Sequence, residues 1–366
     1  MSTIDRDAVA ALVERAERAF HEEDLPAAQL ALLLDGEVVE ARTFGADGNA
    51  RFVGFSTAKA VTSGTIVHLL SEGELALSDR AATWIPEFDR DGFRDVTVEH
   101  LLTHRAGFPH APLRHLEAAT REARGARYAA WRLDWPPGEG SGYHPTSAHW
   151  VLSDIALALT GSPLGPLARE RVLEPLGIDG LDIGVPVDEQ DGLQPVTMIG
   201  GDDVPDGYAI GELFPEANPE ILAEYADPAV VAVGVPGAGI VTTATALASW
   251  LAAWLRPDAG PWSPKWVADA TGTIRVTDLD KVTHVPANRT LAFVVAGDDG
   301  NQALRELGPS VGPRTFGTSG LGGQVAWADP DTRLAFCFLT SGINHDVVAS
   351  WRRGYELSDL AARCVA

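Results

Sequence analysis

Apolar and polar positions along this chain switch between a helical and a strand period, and the switches mark its elements. Residues 6–22 carry Val9, Leu12, Val13, Ala16 and Phe20 at helical spacing, which predicts a helix with one apolar face. Pro26 closes that pattern, and Ala28 to Leu34 (AQLALLL) is an almost unbroken apolar run that reads as a strand. Asp35-Gly36 is a two-residue hairpin signal, with Glu37 to Phe44 returning as the partner strand. The stretch from Gly54 to Asp79, GFSTAKAVTSGTIVHLLSEGELALSD, predicts a turn, then a helix, then a stop at Gly73. Val61, Ile66, Val67, Leu69 and Leu70 make that helix apolar nearly all round, so it is expected to be buried.

From about 80 to 240 the pattern is mostly helical. Thr97 opens a short helix within Val96 to His104, Arg105 to Pro112 is a Gly/Pro loop, and 115–132 is a charged helix. The loop WPPGEGSGYHP follows, then helices over 146–160 and 163–174, ended by Gly161 and Gly177. Residues 180–239 are rich in Pro, Gly and Asp and predict loops and short helices, before a helix from Thr243 to Leu255. Strand patterns return at Thr290 to Val295, Gln324 to Trp327 and Leu334 to Leu339, with a turn at Asp329-Pro330-Asp331. A final helix runs from about Asp346 to Ala362. The order predicts an α+β fold in which both ends of the chain build one antiparallel sheet. Residues 1–80 and 240–366 form the sheet subdomain in this reading, and 81–239 a mainly helical one.

The composition is that of a globular chain: 45% hydrophobic, 22% charged, 366 residues. A net charge of −23 repels nucleic acid and anionic lipid and argues against both as partners. No apolar run reaches the roughly 18 residues of a membrane span, and MSTIDRDAVAALVERAERAF has no basic start with an apolar core. Cys337 and Cys364 fit no metal or redox spacing and are expected to be buried and reduced, which makes the cytoplasm the default compartment.

The candidate chemistry lies at the start of the apolar helix. Ser56 and Lys59 are three residues apart and therefore share a helical face. Lysine carried into a buried helix is costly unless paired or neutral, and a neutral lysine is a base that can deprotonate serine. The chain has only three lysines, Lys59, Lys265 and Lys281. No zinc-spaced histidine cluster, phosphate loop or dinucleotide fingerprint is present, and the chemistry expected here needs no metal or cofactor.

Six segments then line up with a known family: FSTAK at 55–59, LSEGELALSD at 70–79, VTVEHLLTHRAGFP at 96–109, PPGEGSGYHPTSAHWVLSDIALALTG at 136–161, VPGAGIVTTATALASW at 235–250 and FGTSGLGGQVAWADP at 316–330. Through them the chain resembles the serine β-lactamase-related superfamily of class C β-lactamases, DD-peptidases and family VIII carboxylesterases. The resemblance implies an antiparallel sheet flanked by helices, an all-helical subdomain, and an active site between them. It makes Ser56 the nucleophile, Lys59 its partner and Tyr143 the tyrosine of the second motif. A phenol beside an ammonium is expected to have a lowered pKa and to shuttle a proton. The backbone N–H groups of Ser56 and Leu321 would form the oxyanion hole. His144, Thr318, Ser319 and Gly320 would bind substrate.

Two departures shape the functional reading. The family's Lys-Thr-Gly or His-x-Gly stands here as Thr318-Ser319-Gly320, without a cation, and whether Thr318 or Ser319 replaces it is open. Its Tyr-x-Asn stands as Tyr143-His144-Pro145, without the amide-gripping asparagine. Both weaken a β-lactam or peptide substrate and favour the esterase branch: a serine hydrolase forming an acyl-enzyme on a small carboxylic ester. The alternatives are a β-lactamase, a D-amino-acid peptidase or amidase, or an acyltransferase on the same site, and a non-catalytic acyl-binding sensor. Trp131, Trp135, Trp150 and Trp327 are candidates for an apolar pocket, and His104 and His149 are expected to be structural or to line the cleft.

Overall fold

The computed structural model describes residues 3–111, 113–201, 204 and 219–365. Among them the strands are β1 (Ala28–Leu34), β2 (Glu37–Phe44), β3 (Phe52–Val53), β4 (Leu181–Ile183), β5 (Thr197–Ile199), β6 (Ile240–Thr242), β7 (Val294–Val295), β8 (Phe316–Gly320), β9 (Gln324–Ala328), β10 (Leu334–Thr340) and β11 (Gly342–Asn344). A six-stranded antiparallel sheet has the order β2-β1-β10-β9-β8-β7, so both ends of the chain build it. β1 is an interior strand, paired with the edge strand β2 on one side and β10 on the other, and helices cover both sheet faces. Leu30 and Leu32 share a core with Val9, Leu12 and Ala16 of helix α1 (Arg6–Glu22) and with Leu357 of the C-terminal helix Val347–Ala362. Ala31 and Leu33 face the other way, into a core with Leu247 and Leu251 of the helix Ala244–Ala253. That is why β1 is apolar at successive positions instead of alternating. Burying a leucine fully contributes roughly 1.5–3 kcal/mol, so this doubly covered sheet is a stiff base for the site.

Helix α2 (Ala58–Ser71) is buried at every residue from Ala58 to Leu70, as its sequence predicts. It packs against the helix Ser147–Thr160 and the helix Ala244–Ala253 side of the core through contacts such as Gly64, where an added Cβ would lie 2.6 Å from the Trp250 ring. The short helix Val98–Leu102 starts at Thr97, whose hydroxyl accepts the His100 N–H. No single helix among the described residues is long and apolar enough to cross a membrane.

The strand expected over Thr290 to Val295 shrinks to Val294–Val295. Thr290 closes a turn instead: its N–H donates to the Phe293 carbonyl and its hydroxyl accepts the Phe293 N–H. The consequence is functional. β7 pairs only with Phe316 and Gly317, so Thr318, Ser319 and Gly320 have ladder partners on the β9 side alone. The other edge of β8 is left open at that point. Two smaller sheets, β3-β6-β4 and the parallel pair β11-β5, include two strands, β4 and β5, that the Pro/Gly-rich pattern of 180–239 did not predict. Part of that expectation, at 202–203 and 205–218, and the last residue of the Arg105 to Pro112 loop lie outside the described residues.

Candidate active site

Ser56 sits in a one-turn helix, Phe55–Thr57, that leads directly into α2. The turn is pinned from three sides. The Gly54 N–H donates to the Ile240 carbonyl of β6 at 2.9 Å, and the Thr57 hydroxyl donates back to the Gly54 carbonyl at 2.8 Å. Phe55 has φ +45°, a left-handed conformation unfavourable for a residue with a side chain, and its buried ring packs edge-on against Tyr225 at 5.3 Å. Packing holds this strained turn in place, with Ser56 half-buried at its crest.

Two chain segments meet at the Ser56 hydroxyl, its own and that of Tyr143. Lys59, one helical turn further on, brings its Nζ to 3.0 Å from Ser56 Oγ and donates to the Gly237 carbonyl at 2.7 Å. The Tyr143 hydroxyl donates to Ser56 Oγ at 2.7 Å, and Lys59 Nζ lies 4.8 Å from the Tyr143 ring centre. Asp280 fixes the Tyr143 backbone by accepting its N–H at 3.0 Å, and the same Oδ1 accepts the Val282 and Thr283 N–H groups. Its other oxygen pairs with Arg289 at 3.1 Å, and the Arg289 guanidinium lies 5.4 Å from the Tyr143 ring centre. A cavity of about 220 Å³ opens over this cluster.

The electrostatics divide the proton work differently from the sequence expectation. Burial, assisted by the Arg289 charge, holds the Lys59 ammonium pKa well below its usual value. Burial pushes the Tyr143 phenol the other way, up to about 12. The expected lowering of the tyrosine pKa is therefore reversed, because removal from water outweighs the nearby cations. Lys59 is the group poised to be neutral, and Tyr143 the group that stays protonated. Because Arg289 contributes to the Lys59 shift, Arg289→Met is expected to raise the Lys59 pKa. If neutral Lys59 is the base, activity rises with pH as Lys59 loses its proton, so the acid limb of the kcat/KM profile should move to higher pH. Arg289→Lys should hold it near the parent position. An unmoved limb in Arg289→Met would remove Arg289 from the account.

The structure gathers most of the residues singled out in the sequence, but not all. Thr318, Ser319, Gly320 and Leu321 line the cavity beside Ser56, Lys59 and Tyr143. Gly320 meets the nucleophile turn so closely that an added Cβ would lie 2.8 Å from the Gly54 carbonyl oxygen and 3.1 Å from the Ser56 nitrogen. Only glycine permits this approach, which brings the end of β8 against the Ser56 amide. His144 is not in the cavity wall. It is fully buried, its Nε2 accepts the Phe108 N–H, and its Nδ1 lies 2.6 Å from the Gly142 carbonyl, so it ties the Tyr143 loop to the protein interior. Burial pushes its pKa down to about 3. His104 and His149 do reach the cavity, both buried, with His104 Nδ1 accepting the His144 N–H and its ring 5.1 Å from that of Tyr143.

None of the four tryptophans proposed for a pocket lines the cavity, whereas Trp351 of the C-terminal helix does. Sequence reasoning also passed over Asp280, Arg289 and Glu306. Asp280 lies 137 positions from Tyr143, and no motif marks any of the three.

Comparisons with known proteins bear on the family and the fold. The Beta-lactamase family profile matches residues 9–355. The chain is 26% identical over 326 residues to the esterase/beta-lactamase LipL of Mycobacterium tuberculosis, an alignment covering 82% of this chain and 71% of that protein. Superposition on a penicillin-binding protein homolog from Caulobacter crescentus gives a TM-score of 0.80 at 28% identity and covers 99% of each chain. A family VIII carboxylesterase superposes with a TM-score of 0.81 at 24% identity, again over 99% of each chain, a likeness of fold.

Proposed function

Given that the chain belongs to the beta-lactamase family and is a hydrolase of that fold, we propose that it is a carboxylesterase that turns over small esters through an acyl-enzyme on Ser56. The observation that carries this reading is the Ser56 hydroxyl held at once by Lys59 at 3.0 Å and Tyr143 at 2.7 Å. Neutral Lys59 takes the Ser56 proton as Oγ forms a bond to the ester carbonyl carbon. The carbonyl oxygen gains the negative charge and lies between the Ser56 and Leu321 amides. As the tetrahedral intermediate collapses, the bond to the alkoxide breaks and the Tyr143 hydroxyl protonates it. The Lys59 ammonium then restores the Tyr143 proton, so the net transfer runs from Ser56 to the leaving alcohol. Water repeats the sequence on the acyl-enzyme, leaving a carboxylic acid and free Ser56.

The ester preference rests on what surrounds this cluster. No cation stands in the third motif, and Arg289, which does line the cavity, is already paired with Asp280. Proline at 145 offers no side-chain amide to grip a lactam or peptide. A cavity of about 220 Å³ suits a short acyl chain, with the leaving group extending towards solvent. The test is a panel of p-nitrophenyl acetate, butyrate and octanoate beside the chromogenic cephalosporin nitrocefin. Acetate and butyrate should turn over, octanoate more slowly, and nitrocefin not detectably. Nitrocefin hydrolysis at a rate matching the esters would replace the esterase reading with a β-lactamase one.

A further inference from the structure

Glu306 is a carboxyl group in the cavity wall for which acyl transfer has no use. It is 7% exposed and has φ +60°, a left-handed conformation that its side chain disfavours. Ser319, at the open edge of β8, stands beside it in the same wall. Its Oε2, lying against Gly354 of the C-terminal helix, has no hydrogen-bond partner. The neighbouring cation Arg353 is engaged elsewhere, by Glu23 and the Gly322 carbonyl. Arg305, the preceding residue, pairs with Asp299. An acidic group is thus built into the substrate cavity and, among the described residues, left without a counter-ion in contact.

We propose that Glu306, acting with Ser319, forms a subsite for a protonated amine on the ester substrate. The inference rests on the esterase reading above and adds the substrate's charge to it. Glu306 and Ser319 stand together in the cavity wall, where an ammonium would find a carboxyl and a hydroxyl oxygen to accept its hydrogens. The overall charge of −23 favours the approach of the same class of substrate. Burial holds the Glu306 carboxyl up at about 8, so it is mostly uncharged near neutral pH and gains its charge above that value or on meeting an ammonium. The groups acting on it are Ser319 from β8, Arg353 from the C-terminal helix, and the Tyr143 phenol, which feels the Glu306 charge in turn.

The test compares p-nitrophenyl 3-aminopropanoate with p-nitrophenyl butyrate, esters of nearly equal size that differ in the terminal ammonium. In the parent protein the ratio of their kcat/KM values, amino over neutral, should rise between pH 6 and 8.5 as Glu306 ionises. Glu306→Gln should lower that ratio by about tenfold, mainly through KM, and flatten its pH dependence. Ser319→Ala is the second variant, should Glu306→Gln fold poorly, and should lower the ratio in the same direction. A ratio unmoved in both variants while butyrate is still hydrolysed overturns the subsite alone. Failure of the parent protein to hydrolyse either ester overturns the esterase reading, and the subsite with it.

Discussion

Ser56→Ala should lower ester turnover by roughly 10⁴- to 10⁶-fold, the scale of loss when a hydrolase is deprived of its nucleophile. Among the described residues no other hydroxyl receives both the Lys59 and Tyr143 contacts, so none is placed to accept the acyl group instead. The fold should survive. Lys59 keeps its bond to the Gly237 carbonyl, and the turn keeps its bonds to Ile240 and Thr57. The Tyr143 hydroxyl and the Lys59 amine each lose the Ser56 contact, and both face a cavity that admits water. The thermal midpoint should therefore stay within a few degrees of the parent value, consistent with a change of about 1 kcal/mol or less. Turnover at the parent rate would remove Ser56 from the chemistry.

Lys59→Met tests the base. Methionine fills much the same volume without an amine, and a loss of about 10²- to 10⁴-fold in kcat is expected for a missing general base. The acid limb of the pH profile should disappear together with the group whose lowered pKa generates it. Stability should move the other way or not at all. Lys59 is 7% exposed and pairs with no carboxylate among its described contacts, so replacing it removes the cost of burying an amine. A less active but equally or more stable variant is the signature of a residue kept for chemistry. An acid limb that persists in Lys59→Met would assign the titration to another group.

Much of this was legible in the sequence because it is local. The hairpin at Asp35-Gly36, the all-round apolar helix after Ser56 and the Thr97 cap are each set by neighbouring residues, and each appears where the pattern places it. The Ser56–Lys59 contact follows from helical spacing alone. What the sequence concealed depends on long-range packing. The strand at Thr290 looked continuous because apolar residues surround it, yet its hydroxyl closes a turn and frees the β8 edge. His144 adjoins Tyr143 in sequence, but neighbouring residues in an extended loop point in different directions, and its ring turns inward. The sign of the Tyr143 shift depended on burial, which the presence of a nearby ammonium does not reveal.

The acyl-enzyme itself offers the most direct test of the account. Intact-protein mass spectrometry after treatment with a fluorophosphonate probe, followed by peptide mapping, reads which side chain is attacked. The account predicts one adduct, on the peptide bearing Ser56, abolished by Ser56→Ala and slowed by Lys59→Met. An adduct on another residue, or undiminished labelling of Ser56→Ala, would contradict it.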